Sequence, residues 1–217
     1  MKRGVTVALL VLLAVTPLVA GDIVGGISYL EGYPELVRDG DELLESLDFG
    51  FPVENFDTIV TDALSRAELD LDPATGVDAT LIIRENTRFT MQLSSLQREQ
   101  EGIVEVVAGS VGVIVRELAG TTTLSVRTHS SVVGVRGTTF DVTTAPDGSV
   151  LVTVDEGTVE VTARDGAVLF ASPGEAVEVY EETGLARNVK YEVLTGDFIR
   201  VWLADRLDRL LQRAPAL

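Results

Sequence analysis

The sequence predicts an all-β protein, either an elongated sandwich or a solenoid-like stack of short antiparallel strands, with one C-terminal amphipathic helix. Apolar and polar residues alternate in short runs along most of the chain, which is typical of half-buried strands. After Val142, glycines recur every eight or nine residues and end each run, at Gly148, Gly157, Gly166 and Gly174. Turn signals at this spacing favour an antiparallel stack.

Composition and charge bound the class of protein. The chain of 217 residues is long enough to bury a full core, and its 46% hydrophobic content is typical of a globular protein. Asp and Glu number 34 against 17 Lys and Arg, which gives a formal net charge of −17. Such a surface repels phosphate groups, so we expect neither nucleic acid nor anionic lipid as a partner. The absence of cysteine excludes disulfides, thiolate metal sites and cysteine nucleophiles.

Residues 1–21 have the layout of a signal peptide. A short basic head precedes an apolar run from Val5 to Leu13, and small residues follow at the expected cleavage site. The alternative is an uncleaved anchor helix. The stretch from Val5 to Ala20 is 16 residues long, however, short of the roughly 20 that span a bilayer, and Pro17 interrupts it. We therefore expect cleavage after Gly21 and a periplasmic protein that contacts a membrane only if this segment stays uncleaved.

Three of the seven phenylalanines, Phe49, Phe51 and Phe56, fall within eight residues. The segment that carries them could be an exposed docking loop, since solvent-facing aromatic rings mark binding surfaces. Alternatively, the loop folds back and places the rings in the core, which the usual burial of phenylalanine favours.

Two alternating runs near the middle of the chain flank a glycine. Ile103–Val107 precedes Ala108-Gly109-Ser110, and Val111–Arg116 follows it. Short strands on either side of a glycine-containing turn predict a β-hairpin here.

No combination of residues indicates catalysis. His129 is the only histidine, and the adjacent Ser130 would point to the opposite face of a strand, so no dyad is indicated. The acidic pair Asp155-Glu156 consists of neighbours at a turn and not of two facing carboxylates. We therefore predict a protein that is not an enzyme and has no cofactor.

No metal site is predicted either, because one histidine without cysteine argues against zinc. Residues 70–78 are spaced like a calcium loop, but Gly76 falls at the seventh position and the twelfth is Leu81. This segment is better interpreted as the tip of a hairpin.

The stretch Val126–Val142 contains the most specific motif. Two alternating patterns meet there at an irregular turn that contains Arg136 and Gly137, followed by Thr138 and Phe140. The stretch resembles the FecR domain, in which a strand ending in Arg-Thr leads into Val-Arg-Gly-Thr and an aromatic residue. Further short steps in the family's order extend the resemblance over residues 22–180.

The resemblance implies a function in the cell envelope. FecR proteins combine a cytoplasmic anti-sigma segment, a membrane helix and a periplasmic sensing region, and this chain is similar to the periplasmic region alone. Because four residues precede its apolar run, we expect no sigma-binding segment in this chain. We expect a non-enzymatic periplasmic module for protein interaction or signal relay, whose partner is an envelope protein or a second copy. The alternative is a cell-wall or carbohydrate-binding module that recognises peptidoglycan or another glycan.

Arg136 has two interpretations. Its five donors suit either a brace for the carbonyl groups of the turn or an anchor for a partner. We favour the brace, because backbone groups in such a turn must be satisfied.

The C-terminal part is predicted to be a linker over residues 181–195 and an amphipathic helix over residues 196–213. An apolar stripe on the helix is formed by Ile199, Leu203, Leu207 and Leu211, joined by Leu210. Phe198 and Trp202 form a second patch about 100° away. We expect the leucine stripe to pack on the protein's own sheet and the second patch to remain available to a partner.

Overall fold

The computed structural model describes residues 22–38, 45–94, 101–135, 137–184, 186–190 and 196–213. This part of the chain contains 17 strands and one α-helix, α1 (Gly196–Arg213). The strands are β1 (Ile23–Glu31), β2 (Glu35–Val37), β3 (Glu45–Ser46), β4 (Pro52–Glu54), β5 (Thr58–Val60), β6 (Arg66–Leu71), β7 (Val77–Ile83), β8 (Arg88–Ser94), β9 (Glu101–Leu118), β10 (Thr123–Arg127), β11 (Ser131–Val135), β12 (Thr139–Thr144), β13 (Val150–Glu156), β14 (Val159–Ala163), β15 (Val168–Ala171), β16 (Glu175–Val179) and β17 (Ala186–Lys190).

The strands form two layers that share β9. Sheet 1 has the order β4-β1-β6-β7-β9-β12-β13-β16-β17. Sheet 2 has the order β3-β2-β5-β8-β9-β10-β11-β14-β15. Neighbouring strands are antiparallel except for β9 and β10, which are parallel. The prediction of an all-β fold with one C-terminal helix is confirmed for the described residues, and of the two predicted architectures the paired sheets correspond to the sandwich.

Rows of cross-strand apolar neighbours form the core between the layers. Successive side chains of a strand point to opposite faces, so every second residue of each strand faces the core. Core-facing residues that lie opposite one another on neighbouring strands form a row. In sheet 1 one row is fully buried and consists of Ile83, Val111, Val142, Val152 and Val177. In sheet 2 the corresponding row consists of Met91, Val104, Val126, Val133 and Val161. Full burial of such a side chain contributes roughly 1.5 to 3 kcal/mol.

The predicted hairpin around Gly109 is wrong, because β9 continues through it as one strand of 18 residues. The first half of β9 pairs with β8 and β10 in sheet 2, and the second half pairs with β7 and β12 in sheet 1. Gly109 has a φ of +88°, and a Cβ there would collide with the backbone of Asn86 and Thr87. The glycine therefore redirects the chain from one sheet to the other instead of reversing it.

The hairpin tip predicted within residues 70–78 is confirmed. β6 and β7 pair on either side of a short 3-10 turn, Pro73–Thr75. The Asp72 side chain accepts a hydrogen bond from the Ala74 N–H at 2.9 Å, and Gly76 has a φ of +86°. An aspartate cap and a glycine in the left-handed region are what this turn requires.

The segment predicted to be a linker contains β17, which pairs along its whole length with β16. The prediction was wrong here because Ala186–Lys190 is largely polar and lacks the alternation that marks a strand. Its place in sheet 1 is set by backbone pairing with β16. Within the described ranges, no helix combines the length and the hydrophobicity needed to cross a membrane.

Candidate interaction surface

The turn between β11 and β12 carries the predicted family motif. Gly137 has a φ of +62°, a conformation that favours glycine. Thr138 is buried, and its carbonyl oxygen accepts the Val115 N–H at 2.9 Å. Phe140 is 1% exposed in the core. These three residues build the turn and the core, and Arg136 lies outside the described residues, so its role as a brace stays a prediction.

A second turn packs directly on this motif. Gly157, after β13, has a φ of +82°, and a Cβ there would lie 2.6 Å from Thr138 Cγ2 and 2.8 Å from the Gly137 carbonyl oxygen. Real Cβ atoms do not approach other atoms so closely, so this contact requires a glycine at position 157. The two glycine turns therefore pack tightly against each other.

The phenylalanine loop does not fold back as ordinary burial suggested. Phe49 is 80% exposed and Phe56 is 60% exposed, whereas Phe51 packs against the core with the Arg38 guanidinium 5.8 Å from its ring centre. The loop follows the edge of β1, where the Gly50 N–H donates to the Ile27 carbonyl at 2.8 Å. Because the loop backbone is tied to this edge, the Phe49 ring points into solvent.

The Phe56 ring is exposed for a related reason. Its backbone has a φ of +71°, which is uncommon for a residue with a side chain. The Phe56 N–H donates to the Met91 carbonyl at 2.8 Å, and the Asn55 amide bonds the backbone of Leu93 in both directions. The turn is therefore held by β8 and presents the ring outward.

Sequence reasoning missed a second exposed pair, Tyr33 and Leu64, which are 86% and 82% exposed. They lie on adjacent loops, since the Tyr33 N–H donates to Ser65 Oγ at 3.1 Å. The step Gly32-Tyr33-Pro34 could have indicated an aromatic ring on a turn.

Helix α1 packs on the outer face of sheet 1, with Trp202 inward. Core-facing valines alternate with Leu151 on β13 and Ala176 on β16, which face outward and form an apolar cluster with Trp202, Ile199 and Leu203. Trp202 is only 8% exposed, whereas Leu207 and Leu211 are 43% and 63% exposed. The expected packing of the stripe on the sheet therefore holds for Ile199 and Leu203 only. The expectation that Trp202 is available to a partner is wrong, because it is buried beside them. The Phe198 side chain lies outside the described residues.

A buried carboxylate explains this orientation. Glu178 is 2% exposed on the outer face of β16, where an unpaired charge would be very costly. Its Oε1 accepts from Trp202 Nε1 at 2.8 Å and from the Arg206 guanidinium. Its Oε2 accepts from the Tyr180 hydroxyl and from Arg187 Nε, both at 2.8 Å. Two of these four donors come from the Trp202 face of the helix, and the leucine stripe has no donors that could replace them.

The guanidinium of Arg206 also stacks on aromatic rings. It lies 4.7 Å from the Tyr180 ring centre and 5.2 Å from that of Trp202. Burial lowers the pKa of Arg206 from its ordinary value, but arginine remains charged at neutral pH. The helix is thus held by an apolar cluster and by a charged, fully bonded carboxylate.

His129 and Ser130, which were considered as a catalytic dyad, each contact another group. His129 is exposed, and its Nε2 lies 3.1 Å from Glu181 Oε1, at the same oxygen as Arg164. Ser130 Oγ donates to the Gly148 carbonyl at 3.0 Å, so it is not paired with the histidine. Among the described residues, no three histidine, cysteine or acidic side chains are grouped to hold a metal ion.

One titratable group on the outer face of sheet 1 has a shifted pKa. Partial burial, together with the nearby Asp141 charge, raises the pKa of Asp155, and the Arg84 guanidinium opposes this effect. Arg84 itself pairs with Asp141, its Nε lying 3.1 Å from Asp141 Oδ1. Two neighbouring carboxylates with an arginine form a charge cluster on the surface of the sheet.

A groove of about 640 Å³ runs between α1 and one end of the sandwich. Its helix wall includes Leu203 and Leu207, and its opposite wall includes Ala108 and Pro146. The walls are mainly apolar, so the groove extends the exposed apolar surface of the helix.

The described chain is therefore a β-sandwich with exposed aromatic turns and a docked helix. The FecR protein family matches residues 57–160, and the chain carries a FecR domain over these residues. No curated protein matches the sequence.

Two crystal structures share this fold, and both are described as a "putative anti-sigma factor" from Parabacteroides distasonis ATCC 8503. One has 20% sequence identity and a TM-score of 0.53, and the match covers 67% of this chain and 63% of that chain. The other has 18% identity and a TM-score of 0.54, and the match covers 72% and 73% of the two chains. This chain therefore spans less than two thirds of the first structure. At such identities the likeness establishes the fold alone.

Proposed function

We propose that this chain is a non-enzymatic signal-relay module of the periplasm that acts by binding another protein of the cell envelope. The FecR domain supports this proposal, as do the two structures of the same fold that are described in terms of sigma-factor control. The basic head and apolar run of residues 1–21 support export.

The exposure of Phe49 and Phe56 is the observation that carries the proposal. Both rings project from turns that are tied by backbone hydrogen bonds to β1 and β8. An aromatic side chain presented by an ordered turn loses little conformational entropy on binding, and such residues are common binding hot spots. A protein surface with a complementary apolar pocket is the partner that fits.

Site-specific photo-crosslinking in the producing cells tests this function. A photoreactive residue at position 49 should crosslink to a discrete envelope protein, and Phe49→Ala with Phe56→Ala should abolish the interaction without lowering the melting temperature. Phe170, which is 56% exposed on β15, provides the matched control position. Identical crosslinks from positions 49 and 170 would contradict the proposal.

The alternative is a cell-wall-binding module, since an exposed aromatic ring also stacks on sugar rings. Co-sedimentation with purified peptidoglycan distinguishes the two functions. Binding by the wild type that is lost in the Phe49→Ala, Phe56→Ala variant would assign the chain to the wall-binding class. Absence of binding would favour the protein partner.

A further inference from the structure

The groove between α1 and one end of the sandwich has the size and the lining of a binding site for a small molecule. Its volume of about 640 Å³ lies within the roughly 300 to 1,000 Å³ that is typical of such sites. Ile199, Leu203 and Leu207, spaced four residues apart on one side of the helix, form an apolar wall about 12 Å long. Ala108 and Pro146 lie on the opposite side. The groove can therefore hold an elongated apolar body between two walls.

Hydroxyl groups line the same groove and have hydrogens to donate. Ser110 Oγ and Thr143 Oγ1 lie 2.9 Å apart and share one hydrogen bond. Each hydroxyl carries one hydrogen, so their mutual bond uses one and leaves the other. Thr144, which also lines the groove, is 5% exposed, and among the described residues its hydroxyl has no hydrogen-bond partner. A buried hydroxyl without a partner is costly, so an oxygen acceptor on a ligand is favoured here.

The charges around the groove favour a ligand without charge. Glu85 lines the groove, and Arg84, also in its lining, pairs with Asp141. Burial and the nearby Asp141 charge raise the pKa of Asp155, since Arg84 balances only part of this negative charge. The carboxylates repel an anionic head group, whereas Arg84 repels a cationic one. An uncharged head group avoids both penalties.

We propose that this groove binds an uncharged molecule with an elongated apolar body and one carbonyl oxygen, such as the ester of a medium-chain fatty acid. The apolar body lies between the helix wall and Pro146. The carbonyl oxygen accepts a hydrogen bond from the hydroxyl pair of Ser110 and Thr143. Binding removes apolar surface of both the ligand and Leu207, which is otherwise 43% exposed, and this burial supplies the driving force.

Displacement of the neutral dye Nile red from the purified full chain tests this site. Three competitors share one chain length and differ in charge at pH 7. Methyl decanoate is neutral, decanoate is an anion and decylammonium is a cation. Methyl decanoate should displace the dye at a concentration at least about tenfold below that of either charged competitor, because the groove gives a buried charge no adequate partner.

Two variants of the groove and one matched control locate the site. Ala108→Phe places an aromatic ring in one wall and should remove the dye signal that methyl decanoate displaces. Ala119→Phe is the control, because Ala119 is also exposed but is not among the described residues that line the groove. Ser110→Ala with Thr143→Val removes both hydroxyls, and should weaken binding of methyl decanoate by about three- to tenfold. Circular dichroism should confirm that each variant is folded.

Three outcomes would overturn the proposal. These are a dye signal that methyl decanoate does not displace, a charged competitor that binds as tightly as the ester, and a wild-type response of Ala108→Phe. The result is independent of the proposed envelope partner. Phe49→Ala with Phe56→Ala should leave dye displacement unchanged, because neither ring is among the described residues that line the groove.

Discussion

Glu178 is the single residue on which the position of α1 most depends. Glu178→Ala would leave Arg206, Arg187 and the Trp202 N–H without their acceptor, and breaking a buried pair in this way costs about 3 to 5 kcal/mol. We expect a melting temperature lower by about 6 to 20 °C. Trp202 is the only tryptophan, so its fluorescence should shift towards that of an exposed indole.

Glu160→Ala is the matched control for this change, because Glu160 is exposed on β14. It should alter neither the melting temperature nor the fluorescence. Equal behaviour of the two variants would show that Glu178 does not hold the helix.

Asp155 predicts a pH dependence of stability. Its pKa is raised in the folded protein above the ordinary 3.8, so folding favours the protonated acid. The native state is therefore relatively most stable below pH 3.8 and loses this contribution as the pH rises through the raised pKa. Asp155→Asn should stabilise the protein at pH 7 by less than about 1 kcal/mol, since solvent screens this exposed group.

Urea denaturation of the wild type and Asp155→Asn at pH 7 and pH 4 measures this difference. The gain should shrink at pH 4. A gain of equal size at both pH values would contradict the assignment.

Among the elements, β9 is the strand most sensitive to substitution. Gly109→Ala would place a side chain in the left-handed region and against the backbone of Thr87, at a cost of about 2 to 4 kcal/mol. Gly134→Ala is the control, because a Cβ there meets nothing within 4 Å. Thermal melts should separate the two variants clearly. A wild-type melt for Gly109→Ala would mean that the chain does not need the left-handed turn there.

The elements also show how far the sequence could predict the structure. Alternation located most strands, because burial of one face of a strand leaves a period of two in the sequence. The helix predicted over residues 196–213 matches the bounds of α1. The course of β9 was not predictable from its own residues, since a glycine between two alternating runs suits a hairpin equally well. Asn86 and Thr87, which are distant in the sequence, lie so close to position 109 that only glycine fits there. These contacts determine the course of β9.

The orientation of α1 and the exposure of the aromatic rings depend on the same kind of distant contact. Trp202 is turned towards the sheet because its N–H donates to Glu178, which lies 24 residues earlier in the chain. Phe49 and Phe56 differ from the average phenylalanine because backbone hydrogen bonds to Ile27 and Met91 fix their turns. Neither the composition nor the periodicity of the sequence indicates these contacts.

For the whole molecule, the main prediction is export. Mass spectrometry of the protein isolated from its own cells should find an N-terminus near Asp22, because the layout of residues 1–21 is that of a cleaved signal peptide. Recovery of chains that begin with Met1-Lys2 from the cytoplasmic fraction would end this expectation.

The membership of β9 in both sheets has a consequence for how the protein unfolds. In an array of short strands, each of which contacts only its neighbours, the ends can melt while the middle persists. Here one strand of 18 residues supplies the central ladder of each layer, so neither layer can lose its middle without disrupting the other. Amide protons of β9 should therefore exchange only through global unfolding, and the sandwich should open as one cooperative unit.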